Sequence, residues 1–147
     1  MAGKRAQPQR PFAFRLSHAL SALVAGEPNW WSESLDQGDW SPFHGALDPA
    51  TPLTAESFRA CAGEASSRTI ASRPFSDFLD YVLDPKTGLG EPSVSTWQAF
   101  RQISEALLTD RIIFKVGEGE IVRVRTYLVG RIHEGSVVGI RAVTVET

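Results

Sequence analysis

The sequence is poor in the features that build disulfides, metal clusters and membrane spans. Cys61 is the single cysteine among 147 residues, so no disulfide can form within the chain, and one thiol cannot hold a metal cluster by itself. We expect Cys61 to be a buried structural thiol in a reducing compartment. No run approaches the roughly 18 apolar residues of a membrane-spanning helix. A soluble protein is therefore expected, cytoplasmic if the source is a bacterium.

An excess of positive charge is also missing. The formal net charge is −2, whereas proteins that bind nucleic acid directly usually carry a strongly basic face that releases counterions from phosphates. We therefore expect no direct binding of nucleic acid. At 147 residues and 42% hydrophobic content the chain fits one domain, which we place at residues 12–147. Residues 1–11 are basic and proline-containing, and we predict a mobile lead there.

The amino-terminal region allows two interpretations. The first 26 residues contain four cationic side chains and no acid, as signal and transit peptides often do. In the second interpretation, apolar residues near helical spacing form the amphipathic first helix of the domain. We adopt the helix, because polar residues interrupt its apolar stretch, and the targeting segment stays open. The apolar positions are Phe14, Leu16, Leu20, Leu23 and Val24.

Three further helices are predicted between residues 52 and 107. Thr54 can cap a short helix that ends at Gly63. Pro74 opens a helix whose apolar residues recur at i, i+3, i+4 and i+7, the spacing of one buried stripe. Ser95 and Gln98 form a capping pair for the last helix. Short strands are also indicated within residues 30–42 and 64–73.

From residue 111 onward the hydrophobic period changes to two. Three strands, at 112–116, 120–132 and 136–145, are separated by glycine-containing turns, which predicts an antiparallel meander. Alternation on the middle strand predicts one face toward the helices and one face exposed to water unless something covers it. Helices followed by strands indicate an α+β fold. The helix-facing residues would be Val122, Val124, Thr126 and Leu128, and the opposite ones Arg123, Arg125 and Tyr127.

Motifs for catalysis are scarce. His18, His44 and His133 lie far apart in sequence, without the spacing of a metal-binding helix, and no phosphate-binding Gly-Lys-Ser/Thr loop is present. The run 88–90 is too short for a dinucleotide fingerprint and does not follow a strand. A Ser or Cys nucleophile beside one of the histidines stays open. We expect no catalysis, no cofactor and no metal bound by this chain alone.

Several short motifs, in order along the chain, resemble the nuclease A inhibitor family over about residues 12–147. The first is Trp31-Ser32-Glu33-Ser34 after the first helix, and the second is the short middle helix. The remaining motifs fall in the closing strands. The middle-helix motif is Pro52-Leu53-Thr54-Ala55-Glu56 with Gly63. The strand motifs are Phe114-Lys115-Val116-Gly117-Glu118, Tyr127-Leu128-Val129-Gly130, Val138-Gly139-Ile140 and Val145-Glu146-Thr147.

The resemblance implies a fold and a function. The fold would be a three-layer α/β/α sandwich with a mainly antiparallel sheet and a topology like that of pathogenesis-related-1 proteins. The function would be inhibition of a magnesium-dependent, sugar-nonspecific endonuclease of the ββα-metal class. In such inhibitors a loop glutamate and the terminal threonine reach the catalytic metal. By position, the resemblance implies that these two residues are Glu33 and Thr147 here. The implied partner is that nuclease, bound one to one by an otherwise monomeric protein.

The resemblance implies further nuclease-binding residues, whose expected roles differ. Ser34 and Glu146 adjoin the two principal contacts, and Trp40 is either an interface anchor or a core residue. The family's third contact is a glutamine in the loop after the Phe-rich helix, and Lys86 stands there instead. A lysine next to a metal is unfavourable, although it can pair with a carboxylate of the target. The alternative function is therefore a non-catalytic module of the same fold that binds another protein or a small ligand.

Overall fold

The computed structural model describes residues 12–30, 39–118 and 121–146, without the side chains at 118, 121–122 and 145–146. The predicted mobile lead, residues 1–11, lies outside these ranges. Within them the chain forms α-helices and one β-sheet. The helices are α1 (Phe12–Leu23), α2 (Ala55–Ala62), α3 (Phe75–Leu83) and α4 (Glu91–Leu107), and the strands are β1 (Ser41–Gly45), β2 (Thr69–Pro74), β3 (Thr109–Glu118), β4 (Ile121–Arg131) and β5 (Val137–Glu146).

The five described strands form one antiparallel sheet in the order β1-β5-β4-β3-β2. Its centre is the meander that the period of two predicted, and the two indicated short strands add its edges. Ser41 pairs with Arg141, and Gly45 pairs with Val137, so β1 lies along the first half of β5 and begins beside its middle. β5 finishes at one end of the sheet, where Glu146 pairs with Val122. We call this the Glu146 end. The opposite one, where β5 begins and β3 starts, is the Val137 end.

Local chemistry sets most helix boundaries as the sequence predicted. Thr54 accepts a hydrogen bond from the Ser57 amide at 3.2 Å, and Gly63, at φ 70°, ends α2 in the left-handed conformation. Pro74 directly precedes α3, as predicted. The capping role of Ser95 is wrong, because α4 begins earlier, at Glu91. Proline in the first turn permits this start, since its missing N–H needs no partner there.

One face of the sheet packs against α1, α3 and α4. Leu128 of the central strand lies in this core together with Leu20, Phe78 and Trp97, each at most 1% exposed. Thr126 is fully buried two positions earlier on the same strand. The predicted helix-facing side is thus confirmed at both residues, and Val124 is partly buried. The side chain of Val122 lies outside the described atoms.

A second core covers the opposite face, which the sequence left open to water. Phe58 of α2 is fully buried there and packs on Phe114 and Tyr127, with ring centroids 4.3 and 4.8 Å away. Cys61 lies at the edge of this core and is half-buried, less than the sequence analysis expected. Helices therefore pack on both faces of a mainly antiparallel sheet, and the fold is α+β. No helix in the described ranges is long and apolar enough to cross a membrane.

Candidate functional site

The residues implied by the resemblance are only partly within the described structure. Glu33, Ser34 and Thr147 lie outside the described residues. Glu146 ends β5, with its backbone described and its side chain not. Trp40 and Lys86 are fully described. The structure therefore describes the chain on either side of these residues, together with Trp40 and Lys86.

The topology brings the flanks of these segments to neighbouring strands. Trp40 precedes β1 beside the middle of β5, since Ser41 pairs with Arg141, five residues before Glu146. The last residue of β5 lies at the Glu146 end, paired near the start of β4. Segments that are about 100 residues apart in sequence thus lead into or out of two antiparallel neighbours.

The carboxylate of Glu27 organises the chain just before residue 31. Its Oε1 accepts hydrogen bonds from the indole N–H groups of Trp30 at 2.9 Å and Trp97 at 3.1 Å. Its Oε2 accepts one from the Ser93 hydroxyl at 3.0 Å. Ser93 and Trp97 belong to α4, so this single carboxylate joins the turn after α1 to a distant helix. Such bonds to an ionised acceptor are the stronger kind in proteins.

Trp40 closes the other flank and proves to be a core residue. Its ring is 4% exposed and meets Phe78 and Trp97 edge-on, with centroids 5.8 and 6.0 Å apart. The indole N–H donates to the Pro28 carbonyl at 3.2 Å, and the Trp40 carbonyl accepts from Ser21 at 3.1 Å. Both flanks of residues 31–39 are therefore tied to the turn at residues 27 and 28.

Lys86 lies in a short 3₁₀ turn, Pro85–Thr87, between α3 and α4. The Asp84 side chain accepts from the Lys86 amide at 2.9 Å, and the lysine itself is exposed. α3 starts at the Val137 end, directly after Pro74, and α4 returns there before β3. Their connection therefore lies at the opposite end of the two helices, near Ser93, which reaches Glu27.

A second carboxylate with several donors, Glu64, lies on the α2 face of the sheet, and its side chain is buried. Glu64 accepts two hydrogen bonds from the Arg125 guanidinium, at 2.8 and 2.9 Å, and one from the Tyr127 hydroxyl at 2.6 Å. Arg68 lies 3.8 Å away. The bond to Glu64 raises the pKa of Arg125, while burial, followed by the same carboxylate, raises the pKa of Tyr127. This cluster ties the chain just after α2 to β4, which carries both Arg125 and Tyr127.

A metal cluster, a Ser–His pair and a cavity are the features that bear on catalysis in the described part of the chain. No group of three or more His, Cys, Asp or Glu residues there is placed to hold a metal ion. Ser17 lies 3.4 Å from the His18 ring, but its hydroxyl donates to the Phe14 carbonyl and is fully buried. A cavity of about 490 Å³ lies at the Val137 end, where Phe75, Arg101 and Asp110 line it, and neither Lys86 nor Trp40 does.

Sequence reasoning missed both carboxylates that organise the site's surroundings. Glu27 reads as one of several solvated acids, and Glu64 falls in a segment predicted to be loop. Their donors are remote, 66 and 70 residues away for Ser93 and Trp97. The sole available signal was Trp30, three residues after Glu27, whose indole needs an acceptor when partly buried.

Comparison with known proteins agrees with this architecture. The profile of the family described as nuclease A inhibitor-like protein matches residues 20–147. No curated protein sequence matches the chain. The family match includes both flanks of residues 31–39 and the whole sheet, and so spans nearly all of the described domain. The chain therefore belongs to the nuclease A inhibitor-like family.

Proposed function

We propose that this protein inhibits a magnesium-dependent, sugar-nonspecific endonuclease of the ββα-metal class by occupying its catalytic metal site. Glu33 and Thr147 would be the two residues inserted, with Ser34 and Glu146 beside them. Membership of the nuclease A inhibitor-like family supports an inhibitory role. The observation that supports the placement is that the chain after Glu33 enters β1, the antiparallel neighbour of the strand that ends next to Thr147.

Chain length limits where Glu33 can lie. An extended chain advances at most about 3.6 Å per residue, so Glu33 lies within about 11 Å of Trp30 and about 25 Å of Trp40. Thr147 follows Glu146 directly, at the end of β5. The proposal requires that Thr147 and the region within reach of Trp30 face the same nuclease cleft.

The chemistry of the two residues suits a magnesium-dependent nuclease. A carboxylate and a hydroxyl supply the hard oxygen atoms that magnesium prefers, and a nuclease site keeps exchangeable water where the scissile phosphate binds. Oxygen atoms of Glu33 and Thr147 would replace or bridge such water and exclude the substrate. Acidic neighbours, Asp36, Asp39 and Glu146, would be attracted to a cleft that binds polyanions.

The proposal also covers activity, binding, location, stoichiometry and sheet topology. The protein would have no catalytic activity and no cofactor, would not bind nucleic acid, and would act in the cytoplasm as a monomer that forms a 1:1 complex. Its sheet would have the topology of pathogenesis-related-1 proteins. Trp40, being buried, would support the interface from beneath instead of contacting the nuclease.

The test is digestion of plasmid DNA by a ββα-metal nuclease, titrated with amino-terminally tagged protein. We expect complete inhibition at one equivalent, weakened by Glu33→Ala and by deletion of Thr147. The control Arg101→Ala changes a residue at the Val137 end and should leave inhibition intact. Full inhibition by the Glu33→Ala protein that also lacks Thr147 would eliminate the metal-site mechanism.

A binding module with another partner is the second candidate, and Lys86 favours it. The exposed lysine occupies the place of the glutamine contact that the resemblance implies. If several ββα-metal nucleases remain active at a large excess of folded protein, this second function replaces the first.

A further inference from the structure

The cavity at the Val137 end has an apolar floor and a charged rim. Its volume of about 490 Å³ is in the range of pockets that hold small ligands, and the start of α3, the end of α4 and the start of β3 line it. Phe75, Leu79 and Leu108 form the floor, and each is at most 6% exposed. An apolar group of a ligand can therefore be buried against them.

A β-bulge at the start of β3 brings two charged residues to the rim of this cavity. The pairing of β3 with β4 shifts register between Thr109 and Ile112, and Asp110 and Arg111, which lie in the shift, both line the cavity. Asp110 has the left-handed conformation, at φ 51°, which is uncommon for residues other than glycine. Bulges are frequent next to active sites, where they re-aim side chains.

Gly130 of β4 permits the close approach that this bulge requires. A Cβ atom at position 130 would lie 2.8 Å from the Leu108 Cβ and 3.0 Å from both the Arg111 Cγ and the Thr109 carbonyl oxygen. Residues 108–111 therefore lie closer to β4 than a side chain there would allow. From this position the Arg111 guanidinium carbon reaches 5.3 Å from the centroid of the Phe75 ring, on the floor of the cavity.

The rim carries both signs of charge. Asp80, Glu105 and Asp110 contribute carboxylates, and Arg101 and Arg111 contribute guanidinium groups. Among the residues that the structure describes, neither arginine forms an ion pair, although both are partly buried. A ligand that carries one charge alone would meet a like charge on this rim. A ligand that carries both charges can satisfy both sets of groups.

We propose that this cavity binds a small zwitterion with an apolar body, in the chemical class of short peptides that have free termini and apolar side chains. The two arginines would bind the peptide carboxylate, and the acids of the rim would bind its ammonium group. Hydrogen bonds between charged groups are roughly twice as strong as neutral ones. The peptide side chains would pack on Phe75 and Leu79. The site is separate from the proposed inhibition of a nuclease, because neither Lys86 nor Trp40 lines it.

Titration with the dipeptide leucyl-leucine, followed by ¹H–¹⁵N NMR spectroscopy, tests this proposal without any nuclease. We expect saturable shifts of the backbone amide signals of Phe75, Asp110 and Arg111. The N-acetyl derivative lacks the ammonium group and the C-terminal amide lacks the carboxylate, so each should bind about tenfold more weakly, the typical loss of one hydrogen-bonded charge. The absence of saturable shifts, or equal binding of all three compounds, would overturn the proposal.

Two substitutions that remove charge test the roles of the rim residues. Arg111→Gln should weaken leucyl-leucine about tenfold and leave binding of its C-terminal amide unchanged, because that compound has no carboxylate to bind. Asp110→Asn retains a residue type that tolerates the left-handed conformation, and it should weaken leucyl-leucine but not the N-acetyl derivative.

Arg123→Gln is the matched control for these variants. It removes an exposed arginine of β4 near the Glu146 end, where Arg123 pairs with Val145, and it should bind all three compounds as the unchanged protein does. Amide signals of the sheet that stay at their positions show that each variant is folded. Unchanged binding of leucyl-leucine by both Arg111→Gln and Asp110→Asn would contradict the proposal, since the charges of the rim would then have no part in binding.

Discussion

Replacing Glu64 with glutamine should destabilise the protein strongly, although it removes only one charge. The Glu64 side chain is 5% exposed and that of Arg125 is 21% exposed, so this is a largely buried ion pair with bidentate geometry. Removing one partner of a buried pair typically costs about 3–5 kcal/mol, because the other charge stays buried without compensation. Partial exposure of Arg125 lets water offset some of this, and we expect a loss of about 3 kcal/mol.

The glutamine cannot replace the carboxylate, because its amide nitrogen donates where an acceptor is needed. Arg125 donates to both carboxylate oxygens, so it loses one of its two bonds whichever way the amide is oriented. For a domain of this size, a loss of about 3 kcal/mol lowers the melting temperature by roughly 6–12 °C. Urea unfolding followed by tryptophan fluorescence measures the free energy directly.

Glu56→Gln is the matched control. The same substitution there breaks a pair with Arg59 at 3.6 Å in which the glutamate side chain is 83% exposed. Exposed pairs contribute little, so the expected loss is below about 0.5 kcal/mol. Equal losses for Glu64→Gln and Glu56→Gln would show that the buried cluster contributes no more than a surface pair, and would refute the reasoning.

Three further predictions follow from the fold and the proposed site. Burial raises the pKa of Tyr127, so above about pH 10 the unfolded chain loses a proton that the folded chain keeps, and stability should fall as pH rises further. Urea midpoints measured across that range should show less of this fall in Tyr127→Phe. A tag after Thr147 should weaken nuclease inhibition, whereas the same tag at the amino terminus should not, and equal inhibition by both would remove Thr147 from the metal site. Lys86→Gln should strengthen inhibition if the implied glutamine contact applies here, and unchanged inhibition constants would exclude that contact.

The strand meander was predictable because apolar residues recur at every second position along a strand that packs one face on a core. Residues two apart point the same way in a strand, so Leu128 and Tyr127 could be assigned to opposite faces from sequence alone. What covers the Tyr127 face could not be assigned. Phe58 lies in a helix of eight residues, and a helix that short has no periodic signal showing which sheet face it meets.

The start of α4 was misplaced because two legitimate signals compete there. Ser95 followed by Gln98 fits a capping box, yet Pro92 is also favourable in a first helical turn. In the structure the helix begins at Glu91, with Pro92 in its first turn. Ser95 therefore lies inside the helix, where its hydroxyl is 3.4 Å from the Glu91 carboxylate. Capping patterns read from sequence cannot reveal whether the chain is already helical before them.

Trp40 illustrates what decides between core and interface for an aromatic residue. Its sequence neighbours are polar, which fits an exposed anchor as well as a buried ring. The outcome depends on Phe78 and Trp97, which approach from two helices that the local sequence does not specify. Long-range packing of this kind lies outside any single-segment pattern.

The internal use of Glu27 and Glu64 changes how the net charge of −2 should be interpreted. Both carboxylates are bound by donors of the same chain, so neither is available to steer a partner. Glu64 is balanced by Arg125, whereas Glu27 is bound by neutral indole and hydroxyl groups. The attraction to a cationic cleft that the proposed function requires must therefore come from other acids, such as Asp36 and Asp39.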